Sequence, residues 1–146
     1  MPEIDVVADA NVALKWFHEA GEPDVEPARA LLTLHRERAI ALQVLDLTLY
    51  ELGNALLRGH VGATAGQVST VLDALREICA IIAPDDDDLK LAAELAVEHR
   101  LTLYGAVYCA VARLRGAELA TLEEQVLAAD LGTRPAGLLE RLNRAP

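Results

Sequence analysis

Short apolar runs alternate along this chain with longer stretches in which apolar residues recur every three or four positions. The short runs are typical of buried strands, and the longer stretches have the period of a helix. Strands that alternate with helices indicate a parallel sheet with helices on both of its faces. We therefore predict an α/β fold with a central parallel sheet of four to five short strands, four of which fall at residues 4–8, 40–44, 80–83 and 119–121.

The helical stretches fill the segments between and after those strands. Gly59 and Gly132 end two of them, and Pro23 and Pro27 mark a charged loop after the first helix. The predicted helices are residues 10–17, 28–38, 45–56, 64–77, 89–96, 104–115, 123–131 and 136–143. Because no internal repeat or linker interrupts the alternation, we expect residues 1–146 to form a single domain.

Length and composition favour the same architecture. A chain of 146 residues with 53% hydrophobic residues can bury about two thirds of its unfolded surface, so it needs no disulfide framework. Its two cysteines lie within apolar helical patterns, which fits a reducing compartment. The acidic start is unlike a signal peptide, and no apolar run approaches the roughly 18 residues of a membrane span. We expect a cytoplasmic protein without membrane attachment.

The formal net charge of −10 argues against tight wrapping of nucleic acid. The chain has 23 acidic residues against 13 basic ones, whereas proteins that wrap nucleic acid gain affinity by neutralising phosphates with basic side chains. Carboxylates that gather around a divalent metal can still act on phosphates, because the metal supplies the positive charge. The position of each acid in the predicted fold therefore matters more than the total.

Two acids directly follow predicted strands. Asp9 follows the first strand and Glu123 follows the fourth, and ligands of open α/β sheets bind outside the carboxyl ends of the strands. Asn11, two residues after Asp9, could orient that carboxylate or a bound water. Asp9 is also a suitable N-cap for the helix that it precedes. The sequence leaves the site and the cap as equal alternatives for Asp9.

Glu51 is a third candidate, near the start of the third predicted helix. Asn54, three residues on, shares its helix face. The segment from Thr48 to Glu51 also matches the capping box S/T-x-x-E, in which the glutamate only satisfies backbone donors at the helix start. From the residues alone, the cap is the favoured interpretation of Glu51.

The remaining acidic patterns predict helix caps. The run Asp85 to Asp88 lacks the glycine and terminal glutamate of a calcium loop, and it precedes a helix, where acids favour the positive end of the dipole. Thr121 begins a second S/T-x-x-E pattern with Glu124 as its capping glutamate, which leaves Glu123 for another role. The chain lacks the common signatures of nucleotide binding, serine hydrolysis and zinc binding.

Three segments stand out by their order and spacing: VVADANVALKWF, LDLTLYELGNALLRG and LTLYGAVYCAVARLRGAELATLEEQVL. Together they resemble the PIN domain, and in particular the VapC-type toxins of VapBC toxin–antitoxin modules, over nearly the whole chain from Asp9 to about Leu127. The resemblance implies a PIN-like parallel sheet and a ribonuclease whose carboxylates gather around Mg²⁺ or Mn²⁺. It also implies an RNA substrate, a homodimer and a VapB-like antitoxin partner.

The resemblance implies that three acids form the site, which raises Glu51 above its capping alternative. The catalytic and metal-binding residues carried over are Asp9, Glu51 and Glu123. The residues expected to support the pocket are Asn11, Asn54 and Thr121.

Two positions depart from the family pattern. Gly105 stands where the family normally carries Asp, which leaves a carboxylate position vacant. Glu123 replaces a fourth Asp and keeps its charge with one more methylene. Since Mg²⁺ retains several waters in proteins, three carboxylates could hold one ion. We expect weaker metal binding and reduced activity.

Three functions follow as hypotheses. The first is a VapC-type, Mg²⁺- or Mn²⁺-dependent ribonuclease with reduced activity. The second is a catalytically degenerate PIN-domain protein that acts as a binding or regulatory module with an antitoxin, and Gly105 motivates it. The third is a receiver-like signalling domain, which is disfavoured because only one acid follows the first strand and Lys90 is the only lysine after Lys15.

Overall fold

The computed structural model of the chain describes residues 3–17, 21–59 and 62–144. The strands within these ranges form one sheet, and each pair of neighbours is parallel. The strands are β1 (Ile4–Ala8), β2 (Ile40–Leu45), β3 (Ala80–Ile82) and β4 (Glu118–Ala120). Their order is β3-β2-β1-β4, so β1 lies between β2 and β4.

The helices alternate with the strands as the sequence predicts. They are α1 (Ala10–Lys15), α2 (Val25–Arg36), α3 (Asp46–Arg58), α4 (Ala65–Ile78), α5 (Asp86–His99), α6 (Leu103–Leu114), α7 (Glu124–Ala128) and α8 (Pro135–Arg144). None of these helices, over the ranges that are described, is long and apolar enough to span a membrane.

Some helix boundaries differ from the prediction. Helix α2 begins at Val25 rather than residue 28, with Pro27 in its first turn. Proline is tolerated there because the backbone N–H groups of the first turn have no helical partner to lose. Helix α7 ends at Ala128 rather than residue 131, and Asp130 then takes a left-handed conformation with φ 58°.

The core lies on both faces of the sheet. Residues Val6, Val7 and Ala8 of β1 are fully buried, as expected of a strand covered on both sides. Val6 and Ala8 pack into a cluster with α1, α2, α3, α4 and α8, whereas Val7 packs into a second cluster with α5, α6 and α7. The predicted α/β fold, with a parallel sheet between two helical layers, is therefore confirmed.

Candidate active site

A cleft opens at the carboxyl ends of β1 and β4. After β1 the chain crosses over to β2 on one side, while β4 pairs with β1 on the other side, so the two strand ends flank a switch in strand order. Ligands of parallel α/β sheets bind at such points. The cleft has a volume of about 370 Å³ and is lined by Asp9, Ala10, Asn11, Leu14, Glu51, Ala55, Thr102, Tyr104, Gly105, Tyr108 and Glu123.

Asp9 is both a helix cap and a residue of the cleft, so the two alternatives for it do not compete. Its Oδ1 accepts hydrogen bonds from the backbone N–H of Asn11 at 3.1 Å and of Val12 at 3.3 Å. Its Oδ2 accepts one from the Thr121 hydroxyl. Burial, with a smaller contribution from the negative charge of Glu123, raises the pKa of Asp9 to about 7. The charged form is therefore costly in the metal-free protein.

Thr121 and Asn11 connect the start of α1 to the segment after β4. The Thr121 Oγ1 atom donates to Asp9 and accepts from the backbone N–H of Glu123 at 3.0 Å. The Asn11 Oδ1 atom accepts from the backbone N–H of Leu122 at 3.1 Å. These bonds fix the Asp9 carboxylate relative to the backbone that carries Glu123. Thr121 thus contacts the Asp9 carboxylate directly, whereas the Asn11 side chain bonds the backbone of Leu122 rather than the carboxylate that it was expected to orient.

Glu51 does not belong to a capping box. Helix α3 begins at Asp46, directly after β2, so Thr48 is its third residue and accepts a hydrogen bond from the backbone N–H of Leu45 at 3.1 Å. Glu51 lies in the second turn, half-buried, where it lines the cleft. The capping interpretation of Glu51 is therefore wrong, because the local pattern misplaces the helix start.

Tyr108 holds the Glu51 carboxylate. Its phenol donates to Glu51 Oε1 at 2.7 Å, and its oxygen lies 2.7 Å from Thr48 Oγ1. Since the phenol proton is used on Glu51, the Thr48 hydroxyl donates to Tyr108. Burial raises the pKa of Glu51 and this hydrogen bond lowers it, while burial and the Glu51 charge raise the pKa of Tyr108. Tyr108 therefore stays protonated as a donor to the acid.

The sequence interpretation did not assign Tyr108 to the site. The available signal was its spacing, because residues three apart on a helix share a face and Tyr108 follows Gly105 by three. Thr102 was also missed, and it caps α6 by accepting the N–H of Gly105 at 3.1 Å. Tyr104 lies at the mouth of the cleft with 64% of its surface exposed.

Glu123 and Gly105 face each other across the cleft floor. A Cβ built on Gly105 would lie 3.1 Å and 3.2 Å from the two carboxylate oxygens of Glu123. The Glu123 carboxylate thus covers the α-carbon of Gly105. Its charge also raises the pKa of both Asp9 and Glu51, so the three predicted acids act on one another electrostatically.

Some predicted residues lie elsewhere. Asn54 is exposed and is not part of the cleft lining. Glu124 contacts Arg134 rather than closing a capping box, so that prediction is wrong. Asp85 caps α5 by accepting the N–H of Asp88 at 2.9 Å, as expected of the acidic run.

Asp88 differs from the solvated cap that the sequence predicts. Its carboxylate is buried and accepts two hydrogen bonds from the Arg115 guanidinium, at 2.7 Å and 3.0 Å. These bonds hold the pKa of Asp88 below its usual value. The acidic run thus joins α5 to the end of α6, and three of its four residues are exposed.

The cleft has the chemistry of a divalent metal site. Among the described residues, its lining presents three carboxylates and no lysine, arginine or histidine, and Mg²⁺ and Mn²⁺ prefer oxygen ligands. Within residues 3–17, 21–59 and 62–144, no three aspartate, glutamate, histidine or cysteine side chains lie close enough together to hold a metal ion as they stand. The kinds of donor atom in the cleft therefore fit a divalent metal, whereas the described side chains are not arranged as a ready-made site.

The chain matches proteins of known family. A model of the PIN domain matches residues 6–130. The exonuclease VapC9 of Pyrobaculum aerophilum is 35% identical over 104 residues, which are 67% of this chain and 71% of that protein.

Two solved structures share the fold. A toxin–antitoxin complex from Klebsiella pneumoniae matches with a TM-score of 0.67 and 20% identity, over 89% of this chain and 97% of that chain. The sarcin-ricin loop cleaving toxin VapC20 of Mycobacterium tuberculosis matches with a TM-score of 0.65 and 18% identity, over 85% of this chain and 94% of that chain.

Proposed function

Because this chain belongs to the PIN-domain family, we propose that it is a VapC-type ribonuclease that depends on Mg²⁺ or Mn²⁺ and acts through Asp9, Glu51 and Glu123. One observation carries the proposal: three acids from distant parts of the chain line a single cleft, and none of the other described residues that line it is basic. Such a cleft repels a bare phosphodiester. A bound cation makes it attractive to one.

The protein residues prepare the site for this chemistry. When bound, Mg²⁺ or Mn²⁺ supplies a Lewis acid that polarises a phosphate oxygen and makes water a better nucleophile. Thr121 orients Asp9, and Tyr108 orients Glu51, through the hydrogen bonds described above. The pKa of Asp9 is raised because burial makes its negative charge unfavourable. A bound cation would offset this unfavourable free energy by attracting the carboxylate. Glu123 supplies the third oxygen donor from the segment after β4.

A nuclease assay tests the proposal. Wild type should cleave a structured RNA at millimolar Mn²⁺ and lose this activity in EDTA. Asp9→Asn should lower the rate by at least about a hundredfold, because loss of an outer partner alone costs up to that factor at metal sites. Asp87→Asn, which changes an exposed acid on α5, is the matched control and should leave the rate unchanged. Equal rates for Asp9→Asn and wild type would refute the assignment.

The second candidate is a catalytically degenerate binding module. Gly105 favours it, since no carboxylate stands at that position. In this case wild type binds its partner and cleaves no RNA at any Mn²⁺ concentration. A rate that appears only in Gly105→Asp would favour this candidate over the active enzyme.

We also propose a VapB-like antitoxin partner and a homodimer. The matched toxin–antitoxin complex and the acidic cleft support the first, because an acidic site suits a basic segment of a partner. The proposal of a homodimer rests on the family resemblance. Both free cysteines are buried thiols, which suits the cytoplasmic location proposed here. Co-expression with the product of an adjacent small reading frame should give a complex that no longer cleaves RNA, and light scattering of the chain alone should give twice its mass.

A further inference from the structure

Gly105 has no backbone reason to be glycine. It is the third residue of α6 and lies in regular helix, whereas the glycines with positive φ in the described residues are Gly21, Gly62 and Gly116. Glycine lowers helix propensity relative to alanine at such a position. The space above its α-carbon, rather than its conformational freedom, is therefore what the structure uses.

Glu123 occupies that space. Both of its carboxylate oxygens would lie within 3.2 Å of a Cβ at position 105, closer than an ordinary van der Waals contact. A methyl group there would push the carboxylate aside by a few tenths of an ångström, because the backbone N–H of Glu123 is held at 3.0 Å by Thr121 and the side chain has to give way instead. The longer side chain of glutamate is what brings the carboxylate over the first turn of α6, where helix peptide dipoles favour negative charge.

We propose that Gly105 and Glu123 are a compensating pair, in which the missing side chain at one position makes room for the longer carboxylate at the other. Gly105 is then a positioning residue of the metal site, and the site keeps a carboxylate on this side of the cleft. This inference rests on the proposed function. It differs from the degenerate alternative, in which glycine at position 105 only removes a carboxylate from the site.

The first experiment compares Mn²⁺ affinity and thermal stability in Gly105→Ala and Gly66→Ala. Gly66 is the matched control because it also lies in the first turn of a helix, and a Cβ there would meet only the Thr64 hydroxyl, at 4.0 Å. Both variants should melt no lower than wild type, since alanine favours helix. Calorimetric titration should show Mn²⁺ binding at least about tenfold weaker in Gly105→Ala, as for other losses of ligand positioning, and unchanged in Gly66→Ala.

The second experiment is a double-mutant cycle of Gly105→Asp and Glu123→Asp. Each single change should weaken Mn²⁺ binding about tenfold. The first crowds the Glu123 carboxylate, and the second withdraws it from the space above Gly105. The double variant should recover most of the wild-type affinity, because the shorter residue 123 leaves room for the new carboxylate. A double variant that binds Mn²⁺ more tightly than the two single effects together predict shows that the two positions interact.

Three results would overturn the inference. Wild-type affinity in Gly105→Ala shows that the space is not needed. Tighter Mn²⁺ binding in Gly105→Asp than in wild type shows that glycine is a simple loss, and additive effects in the cycle show that the two positions are independent. If wild type itself binds no Mn²⁺, the proposed function and the inference both fail. If wild type binds Mn²⁺ and the variants show no dependence on the pair, only the inference fails, so the two failures are distinguishable.

Discussion

Replacing Asp9 by asparagine should stabilise the metal-free protein at neutral and alkaline pH. Asparagine is as good an N-cap as aspartate, so its side-chain oxygen can keep the bonds to the N–H groups of Asn11 and Val12. Its amide can donate to the Thr121 oxygen. The substitution removes a buried negative charge and keeps the shape of the side chain.

The magnitude follows from the pKa of Asp9, which rises from 3.8 to about 7 on folding. An acid with a raised pKa leaves stability unchanged below its unfolded value and lowers it progressively as the pH rises from 3.8 to about 7, with no further change above. At about 1.4 kcal/mol per pKa unit, the charge costs about 4 kcal/mol at pH 8 and about 2 kcal/mol at pH 5. At each pH, Asp9→Asn should therefore raise the free energy of unfolding by at most this amount.

Urea unfolding in EDTA at pH 5 and pH 8 measures the effect. The stability advantage of Asp9→Asn over wild type should be larger at pH 8 by about 2 to 3 kcal/mol. Asp87→Asn, at an exposed position, should show no such pH dependence. Millimolar Mn²⁺ should raise the stability of wild type, because a ligand that binds only the folded state stabilises it, and should do so less for Asp9→Asn. An Asp9→Asn variant less stable than wild type at pH 8 in EDTA would refute the reasoning.

Two further predictions concern groups that hold charged side chains in place. Tyr108→Phe keeps the ring and removes the donor to Glu51, so Mn²⁺ binding should weaken about tenfold; unchanged binding in calorimetry would contradict this role. The melting temperature should also fall, because the buried Thr48 hydroxyl loses its acceptor at a cost of about 1–3 kcal/mol. Arg115→Ala leaves the buried Asp88 carboxylate without its guanidinium and should cost about 3 kcal/mol in urea unfolding at pH 7. That loss should shrink below pH 4, because a lowered pKa contributes stability that disappears as the acid is protonated. Arg113→Ala, exposed on the same helix, is the control and should unfold like wild type.

The fold was predictable because its signals are local. A buried strand that ends just before Asp9 and is followed directly by a helix is visible in the apolar pattern, and the parallel sheet follows from the alternation. The error at α2 has the same origin, since Pro27 was interpreted as part of a loop although the first helical turn accepts proline.

The candidate site was predictable only in part, because its hydrogen bonds join distant positions. The partner of Glu51 is Tyr108, 57 positions away, and no local pattern encodes that bond. The capping motif beginning at Thr48 misled because the helix starts earlier, straight after β2. The closeness of Gly105 to the Glu123 carboxylate was equally invisible, because no local pattern places residue 105 against residue 123.

The position of β4 beside β1 determines when this site can exist during synthesis. Thr121 and Asp9 are 112 positions apart, so at about 5–20 residues per second roughly ten seconds pass between the synthesis of the first acid and that of its partner. Until then β1 has no neighbour on its β4 side, and a bare strand edge can pair with other chains. One strand of three residues therefore covers the exposed edge of β1 and, at the same time, completes the hydrogen bonds around Asp9.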